Sequence, residues 1–230
     1  MKLGRAEVQS WLDEVAPGTG LVRLAQLANL PRLRVTQQMS RGSVSPATIA
    51  AIARALDLDP LGELIRFPAF SGIFPGTPST KEMVAFIPTA ALLHATANRL
   101  NDVLTDESEL GNQFYDRLPL TWFDRADDGN LRSYLQQELG VTQPTLWKML
   151  RTRLREDVAL TVARYADFTP VSALVVSGLL SGTEAGWELG CRAHWVNTVS
   201  LGQLLEEAEK RLHEVGKYER SRETFEEHLG

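Results

Sequence analysis

LAQLANLPRLRVTQQMSRGSVSPATIAAIARALDLDP, residues Leu24–Pro60, is the stretch that decides the fold. Apolar residues at helical spacing, beginning just before this stretch at Leu21, predict a short helix over Leu21–Ala28. Asn29 can form the tight turn that follows, because Asn tolerates a positive φ. A second, unusually polar helix is predicted over Pro31–Ser40, where Pro31 suits the first position, and Gly42 ends it.

The flanking residues extend this pattern to five short helices. Ser45 is a good N-cap with Pro46 behind it, and apolar residues then recur at helical spacing over Ile49–Leu56. Ala6–Val15 predicts a first helix with one apolar face, and Asp59 with Pro60 begins a fifth.

Helices dominate the rest of the chain as well. No segment shows the period-two alternation of a strand, so the predicted fold class is all-α. The region between about Leu104 and Gly129 is acidic and is expected to be irregular. Further helices are predicted over Thr80–Leu104 with a kink at Pro88, Asn130–Leu139, Gln143–Arg151, Glu156–Ala166, Pro170–Leu180, Gly186–Thr198, and from Ser200 onward.

Composition excludes several classes of protein. The chain has 230 residues, 43% of them hydrophobic, which suffices for packed cores and argues against a fibrous or disordered chain. One cysteine, Cys191, excludes an intramolecular disulfide and a multi-cysteine zinc site. The N-terminus lacks the apolar stretch of a signal peptide, and the longest nearly apolar run, Met83–Ala97, is shorter than a membrane span requires. We therefore expect a soluble, cytoplasmic protein.

Charge is distributed unevenly. The net charge is −5, yet the 41 residues Ala16–Leu56 contain five arginines and no acid. A second basic stretch covers Gln143–Arg164, with five cations against two acids, and the segment between the two stretches is acidic. Local basic regions of this kind are typical of nucleic-acid contacts, even in an acidic protein.

Residues Leu24–Pro60 resemble the lambda-repressor-type helix-turn-helix domain of the XRE family. The shared features are the leucine–alanine helix, the turn, the polar recognition helix closed by Gly42, the Ser45-Pro-Ala-Thr-Ile start of the fourth helix and its Ala55-Leu-Asp-Leu-Asp-Pro60 end. The likeness covers about Ala6–Arg66; Asn29 stands in place of the usual turn glycine, and there is one extra residue before Gly42. The resemblance implies sequence-specific binding of double-stranded DNA and, by analogy, a repressor of the phage-immunity kind.

A second copy of the pattern lies downstream. Leu135–Leu150 resembles the same two-helix core, and Ala163–Pro170 aligns with Ala53–Pro60. The offset between the copies is 111 residues in the first part and 110 in the second, so one residue is lost between them. The alternative is a plain helical bundle in which the downstream match is accidental.

The predicted domain organisation follows from these two copies and from the Pro- and Gly-rich segment between them. We expect a helix-turn-helix DNA-binding domain over residues 1–68 and a linker over 69–80. A second helical domain is expected over 81–198, with its helix-turn-helix core at about 130–175, followed by a C-terminal helix over 199–230.

The candidate DNA-binding residues are the long donors and amides on the exposed faces of the two recognition helices. Arg can pair with guanine and Gln with adenine, whereas Thr and Lys suit thymine methyls or phosphates. Val35, Met39 and Trp147 are expected to face the core. The candidates are Arg32, Arg34, Thr36, Gln37, Gln38 and Arg41 in the first copy, and Thr142, Gln143, Thr145, Lys148, Arg151 and Arg153 in the second.

Two alternatives remain open at the level of sequence. Leu201, Leu205, Ala208, Leu212 and Val215 recur at spacings of four and three, so the C-terminal helix either forms a homodimer or folds back on the second domain. The chain is either a DNA-binding regulator or a protein-interaction module whose second domain and tail bind a partner. No spacing of His, Cys or acidic residues indicates a metal site, a cofactor or an enzyme.

Overall fold

The structure is a computed structural model and describes residues 1–115 and 118–227, with side chains through residue 216. It is predominantly helical, as predicted. The α-helices are α1 (Arg5–Val15), α2 (Leu21–Leu27), α3 (Arg32–Ser40), α4 (Pro46–Ala55), α5 (Pro60–Leu64), α6 (Thr80–Met83), α7 (Thr89–Leu100), α8 (Leu118–Ala126), α9 (Leu131–Leu139), α10 (Gln143–Arg151), α11 (Glu156–Ala166), α12 (Pro170–Val176), α13 (Cys191–Thr198) and α14 (Leu201–Glu227). Short 3₁₀ turns lie at Pro68–Phe70, Val84–Phe86 and Glu107–Leu110.

The described chain also contains two very short strands that the sequence did not predict. β1 (Leu3–Gly4) pairs antiparallel with β2 (Ser43–Val44), with Leu3 opposite Val44. Two residues are too few to show a period-two pattern. They pair because the buried side chains of Leu3 and Val44 bring the N-terminus against the loop that follows α3.

The chain folds into two compact units. Unit 1 combines residues Met1–Ser79 with Pro119–Glu188, and unit 2 combines Thr80–Leu118 with Leu189–Gly230. This division differs from the predicted domains, because both helix-turn-helix copies lie in unit 1. Unit 2 is built from one insertion between the copies and the C-terminal part of the chain, so no single cut of the sequence separates the units.

Unit 1 contains two structural repeats, repeat 1 (residues 5–76) and repeat 2 (residues 119–186). Backbone positions with positive φ recur at the offsets that relate the two sequences. They are Gly18 (73°) and Gly129 (97°), Asn29 (48°) and Gly140 (62°), and Asp57 (57°) and Asp167 (56°). Each pair marks the same chain reversal, so the repeat found in the sequence is also a repeat of the backbone.

The repeat extends beyond the residues from which it was recognised. Trp11 and Trp122 occupy equivalent positions in α1 and α8, and both are buried. Ser71-Gly72 and Gly76 recur in the sequence 110 residues later as Ser181-Gly182 and Gly186, although the positive φ falls on Gly72 in repeat 1 and on Gly186 in repeat 2. Helix α8 lies in the region expected to be irregular; that expectation was wrong, because Trp122 and Phe123 are fully buried and anchor the helix.

The two repeats meet through reciprocal contacts. Gly76 N donates to Ala185 O at 2.9 Å. A Cβ built on Gly186 would lie 2.6 Å from Pro75 Cβ, so only glycine fits there, at φ +76°. Residues 75 and 185, and residues 76 and 186, are equivalent in sequence, so the two residue pairs exchange with the repeats. The hydrogen bond itself is not repeated, because Gly186 N donates to Thr183 O at 3.0 Å. Reciprocity of this kind characterises packing about an approximate two-fold axis.

The predicted linker over 69–80 is therefore a packed part of unit 1 as far as Ser79. Phe70 and Ile73 within it are buried, as is Phe67 just before it, and this burial removes apolar surface from water and fixes the segment. Its prolines and glycines prevent regular structure, as predicted, without making it a free tether.

Unit 2 has a separate apolar core. Its fully buried members are Val84, Ile87, Leu92, Ala95, Leu110, Val196 and Leu204. The single kinked helix predicted over Thr80–Leu104 is instead α6, a 3₁₀ turn and α7, because Pro88 acts as the N-cap of α7. Two buried arginines complete unit 2: Arg192 reaches Glu107 at 2.6 Å, and Arg211 reaches Glu207 at 3.2 Å.

Helix α14 is capped by Ser200, since Gln203 N donates to Ser200 Oγ at 3.2 Å. It packs on α7, with Leu204 and Ala208 buried and Arg211 Nη2 donating to Val84 O at 2.9 Å. The interpretation that this helix folds back therefore holds for its first half. Leu205 and Leu212 face solvent, and the side chains beyond residue 216 lie outside the described residues.

Candidate nucleic-acid interface

Helix α3 presents one polar face because its other face is anchored. Val35 and Met39, four residues apart, are buried in the core of repeat 1, as predicted. Pro31 is the N-cap rather than the first helical residue, a shift of one position. The remaining side chains point away from the core: Arg32, Arg34, Thr36, Gln37 and Arg41 are all exposed.

The arginines of this face carry uncompensated charge. Within the described part of the chain, Arg32, Arg34 and Arg41 form no ion pair, and neither does the exposed Arg23 on α2. Two other arginines of repeat 1 are paired, Arg54 with Glu184 and Arg66 with Glu63 and Glu14, whereas Arg5 in α1 is exposed and forms no ion pair with a described residue. The acid-free stretch seen in the sequence thus becomes a patch of guanidinium groups open to solvent.

Gln38 differs from its neighbours because it is half-buried and bonded to the protein. Its Oε1 accepts hydrogen bonds from Ser45 N at 3.0 Å and Thr48 Oγ1 at 2.9 Å. These bonds tie the end of α3 to the start of α4. The sequence grouped Gln38 with the base-contacting residues, whereas the structure places its carbonyl oxygen in a positioning role.

Leu33 is an exposed residue that the sequence analysis missed. It lies between Arg32 and Arg34 and is 68% exposed, far more than an apolar residue with a core partner would be. The sequence could have indicated this exposure, because Leu33 does not lie on the helix face that Val35 and Met39 define by their four-residue spacing. An exposed apolar side chain here suits contact with a thymine methyl group.

Helix α10 is the equivalent of α3 in repeat 2. Leu146, Met149 and Leu150 anchor it, and the predicted residues Thr142, Gln143, Thr145, Lys148 and Arg151 are all exposed. Thr142 is the N-cap by position, but its hydroxyl contacts Thr145 Oγ1 at 2.9 Å rather than a helix amide.

The cations at the C-terminal half of α10 are less free than those of α3. Trp147 is half-buried rather than core, and the guanidinium groups of Arg132 and Arg151 lie 5.0 Å and 5.8 Å from its ring. Arg153 is exposed but engaged: its Nε donates to Ser177 O at 3.0 Å and its Nη2 to Glu156 at 3.1 Å. Among these three arginines, Arg151 forms no ion pair or hydrogen bond with a described residue, although its guanidinium lies against Trp147.

The loops after α3 and after α10 explain the change of offset between the two copies. In repeat 1, Gly42 adopts φ +68° before α4. In repeat 2, Thr152 ends α10 at φ −120°, so the loop closes with one residue fewer and needs no glycine. The departure of the second copy from the family pattern at this point is thus accommodated by the backbone.

Other classes of site are not apparent in what the structure describes. No group of three or more His, Cys or acidic side chains there could hold a metal ion. No helix in the described ranges has the length and apolar character needed to cross a membrane. Comparison of the chain with family models, curated proteins and solved structures found no match.

Proposed function

We propose that this protein is a sequence-specific, double-stranded DNA-binding transcriptional regulator that reads its operator with α3 and α10. The observation that carries the proposal is the face of α3, where Arg32, Arg34 and Arg41 are exposed and unpaired on a helix anchored by Val35 and Met39. Repression, rather than activation, is proposed from the resemblance to phage immunity repressors.

The chemistry of α3 suits the major groove. Arg32 and Arg34 lie at its N-terminal end, the end that a recognition helix directs at base edges. Each bidentate pair between an arginine and a guanine contributes about 1–3 kcal/mol of discrimination. Gln37 adds an amide suited to adenine, and Arg41 at the other end of the helix suits a phosphate.

Helix α10 is proposed to position the protein more than to select bases. Thr142, Gln143 and Thr145 offer short polar contacts at its N-terminal end. Lys148 and Arg151 offer charge to the phosphate backbone, which supplies affinity but carries no sequence information. Unequal roles of this kind would let one chain bind a strong half-site and a weak one.

The reciprocal packing of the repeats supports one further feature of the operator. Two motifs related by an approximate two-fold axis face DNA as the subunits of a dimeric repressor do, with half-sites in inverted orientation. Because α3 and α10 carry different side chains, the half-sites would differ in sequence. Holding both motifs in one compact unit also raises the effective concentration of the second once the first has bound.

The proposal is tested by selecting DNA from randomised and genomic pools and footprinting the selected site. We expect a protected site longer than one helical turn and a Kd that rises steeply between about 50 and 200 mM salt. Arg32→Ala combined with Arg34→Ala should abolish selective binding, whereas Arg66→Ala, which removes a paired arginine of the same repeat, should not. No enrichment over nonspecific DNA, or a Kd indifferent to salt, contradicts the proposal.

The exposed apolar residues of unit 2 favour a protein contact as a second function. Leu100, Val103, Leu104, Leu205 and Leu212 are between 41% and 72% exposed. They would serve either a homodimer through α14 or a partner protein. Sedimentation of the wild type and of Leu205→Glu with Leu212→Glu tests the homodimer. The chain is an interaction module if the Arg32→Ala, Arg34→Ala protein keeps every activity that can be measured and the Leu205→Glu, Leu212→Glu protein loses that activity.

A further inference from the structure

The two repeats contain an equivalent arginine whose contacts differ between them. Arg54 in α4 and Arg164 in α11 are related by the 110-residue offset. Arg54 donates from Nε and Nη2 to the carboxylate of Glu184, at 2.5 and 2.7 Å, and from Nη2 to Leu179 O at 2.7 Å. The last segment of repeat 2 thereby supplies a carboxylate and a carbonyl to an arginine of repeat 1.

The reciprocal place at Arg164 holds no such carboxylate. Ala69, the equivalent of Leu179, lines a cavity together with Arg164, as the approximate two-fold relation requires. The equivalent of Glu184, however, is Phe74, whose side chain is 75% exposed. Arg164 is itself exposed and forms no ion pair with any described residue.

The cavity at this place is half open to solvent and is lined by residues of both repeats. Its volume is about 480 Å³, within the range of pockets that bind small organic ligands. Arg164 provides a cation at its wall, and Ile73, Leu160 and Phe168 provide apolar surface. Ser71 adds a hydroxyl from the segment of repeat 1.

Two acids also line the cavity, and neither takes the place of the missing carboxylate. Asp157 is already paired with Arg155, whose Nε donates to it at 3.0 Å, and with the Met1 amino group, which also lines the cavity and lies 3.6 Å from it. Asp167 is the equivalent of Asp57, which follows Arg54 at the same three-residue spacing. Repeat 1 therefore shows that an arginine with this neighbour still binds a carboxylate.

We propose that this cavity binds a small organic carboxylate, whose carboxylate group occupies at Arg164 the position that the Glu184 carboxylate occupies at Arg54. The apolar part of the ligand packs on Ile73, Leu160 and Phe168. Because Ile73 belongs to repeat 1 and Arg164 to repeat 2, the ligand contacts both repeats and stabilises the packing between them. This inference rests on the geometry of unit 1 and not on DNA binding.

The test uses NMR spectra of the full chain, titrated with a defined set of probes. The probes are acetate, butyrate, octanoate, benzoate and phenylacetate, each matched by its uncharged primary amide. We expect at least one apolar carboxylate to shift the amide signals of residues 69–73 and 160–168 saturably, with its amide at least tenfold weaker. Failure of every carboxylate to shift these signals, or equal binding of the matched amide, overturns the proposal.

Three variants sharpen the test. Arg164→Gln should weaken the selected carboxylate at least tenfold, whereas Arg23→Gln, an exposed arginine elsewhere in unit 1, should leave its affinity unchanged. Phe74→Glu restores the residue type found at position 184 and should compete with the ligand by pairing with Arg164. Wild-type affinity in a folded Arg164→Gln protein overturns the assignment, as does wild-type affinity in Phe74→Glu.

Discussion

Helices α3 and α10 follow equivalent left-handed turns, at Asn29 and Gly140, and both are anchored by buried residues. Their exposed faces differ: the arginines of α3 are unpaired, whereas near α10 Arg132 and Arg151 lie against Trp147 and Arg153 bonds to Glu156. The features that the repeats share are those that shape the backbone. The features that differ are the side chains available to a ligand.

The largest expected effect tests whether the repeats are one folding unit. Leu64 and Leu174 are equivalent and fully buried, so Leu64→Ala and Leu174→Ala should each lower the free energy of unfolding by about 2–5 kcal/mol. Chemical denaturation should show both losses in the same transition, because both side chains lie in unit 1. Leu189→Ala, at a side chain that is 94% exposed, is the control and should change little. Two transitions, each sensitive to only one variant, would show independent domains instead.

The next effect separates the roles of α3 and α10 on DNA. Arg32→Ala should cost about 1–3 kcal/mol of binding free energy on the selected site and relax its sequence preference. Lys148→Ala should weaken binding evenly across sequences and reduce the slope of log K against log salt by about one. Equal loss of selectivity in both variants would contradict the proposal that α3 selects bases while α10 mainly contacts phosphates.

A smaller effect comes from two equivalent tryptophans. Trp11 Nε1 donates to Glu63 Oε2 at 2.6 Å, whereas Trp122 Nε1 is buried and has no partner among the described residues, since the equivalent of Glu63 is Ala173. Trp11→Phe should therefore destabilise the protein by about 1–2 kcal/mol more than Trp122→Phe, the difference being one hydrogen bond. Thermal and urea unfolding of both variants measure it, and equal losses would show that this bond contributes nothing.

The smallest effect concerns the contact between Arg54 and Glu184. Burial raises the pKa of Glu184, but hydrogen bonds from Arg54 and Ser181 together lower it by more than burial raises it, so the net shift is downward. A carboxyl with a lowered pKa in the folded state stabilises the protein above its unfolded pKa, and this contribution is lost as pH falls through the folded pKa. Glu184→Gln should cost about 1 kcal/mol at pH 7, because the pair is partly exposed.

The pH dependence supplies the check on that contact. Unfolding of wild type and Glu184→Gln should be compared at pH 7 and at about pH 3, and the difference between them should shrink in acid. A difference that is constant with pH would mean that the loss arises from packing rather than from charge.

Much of unit 1 was predictable from local sequence. The turn at Asn29, the N-cap at Ser45 and the helix over Glu156–Ala166 were all confirmed, because propensity and capping depend on neighbouring residues. Helix α8 was missed because its acidic surroundings hid two anchors, Trp122 and Phe123. The exposure of the α3 arginines was predictable from the spacing of Val35 and Met39, but the engagement of Gln38 and Arg153 was not, because their partners belong to other elements.

By itself, the sequence determined the helices of the two repeats apart from α8, their order and the absence of acids around α3, since each depends on residues close together in the chain. Only the tertiary structure decided that both repeats share one unit, that the Pro- and Gly-rich segment is packed, and that Arg54 has a carboxylate where Arg164 has a cavity. These features depend on contacts between residues more than 90 apart. Such contacts are set by the packing of buried surfaces, which local patterns do not encode.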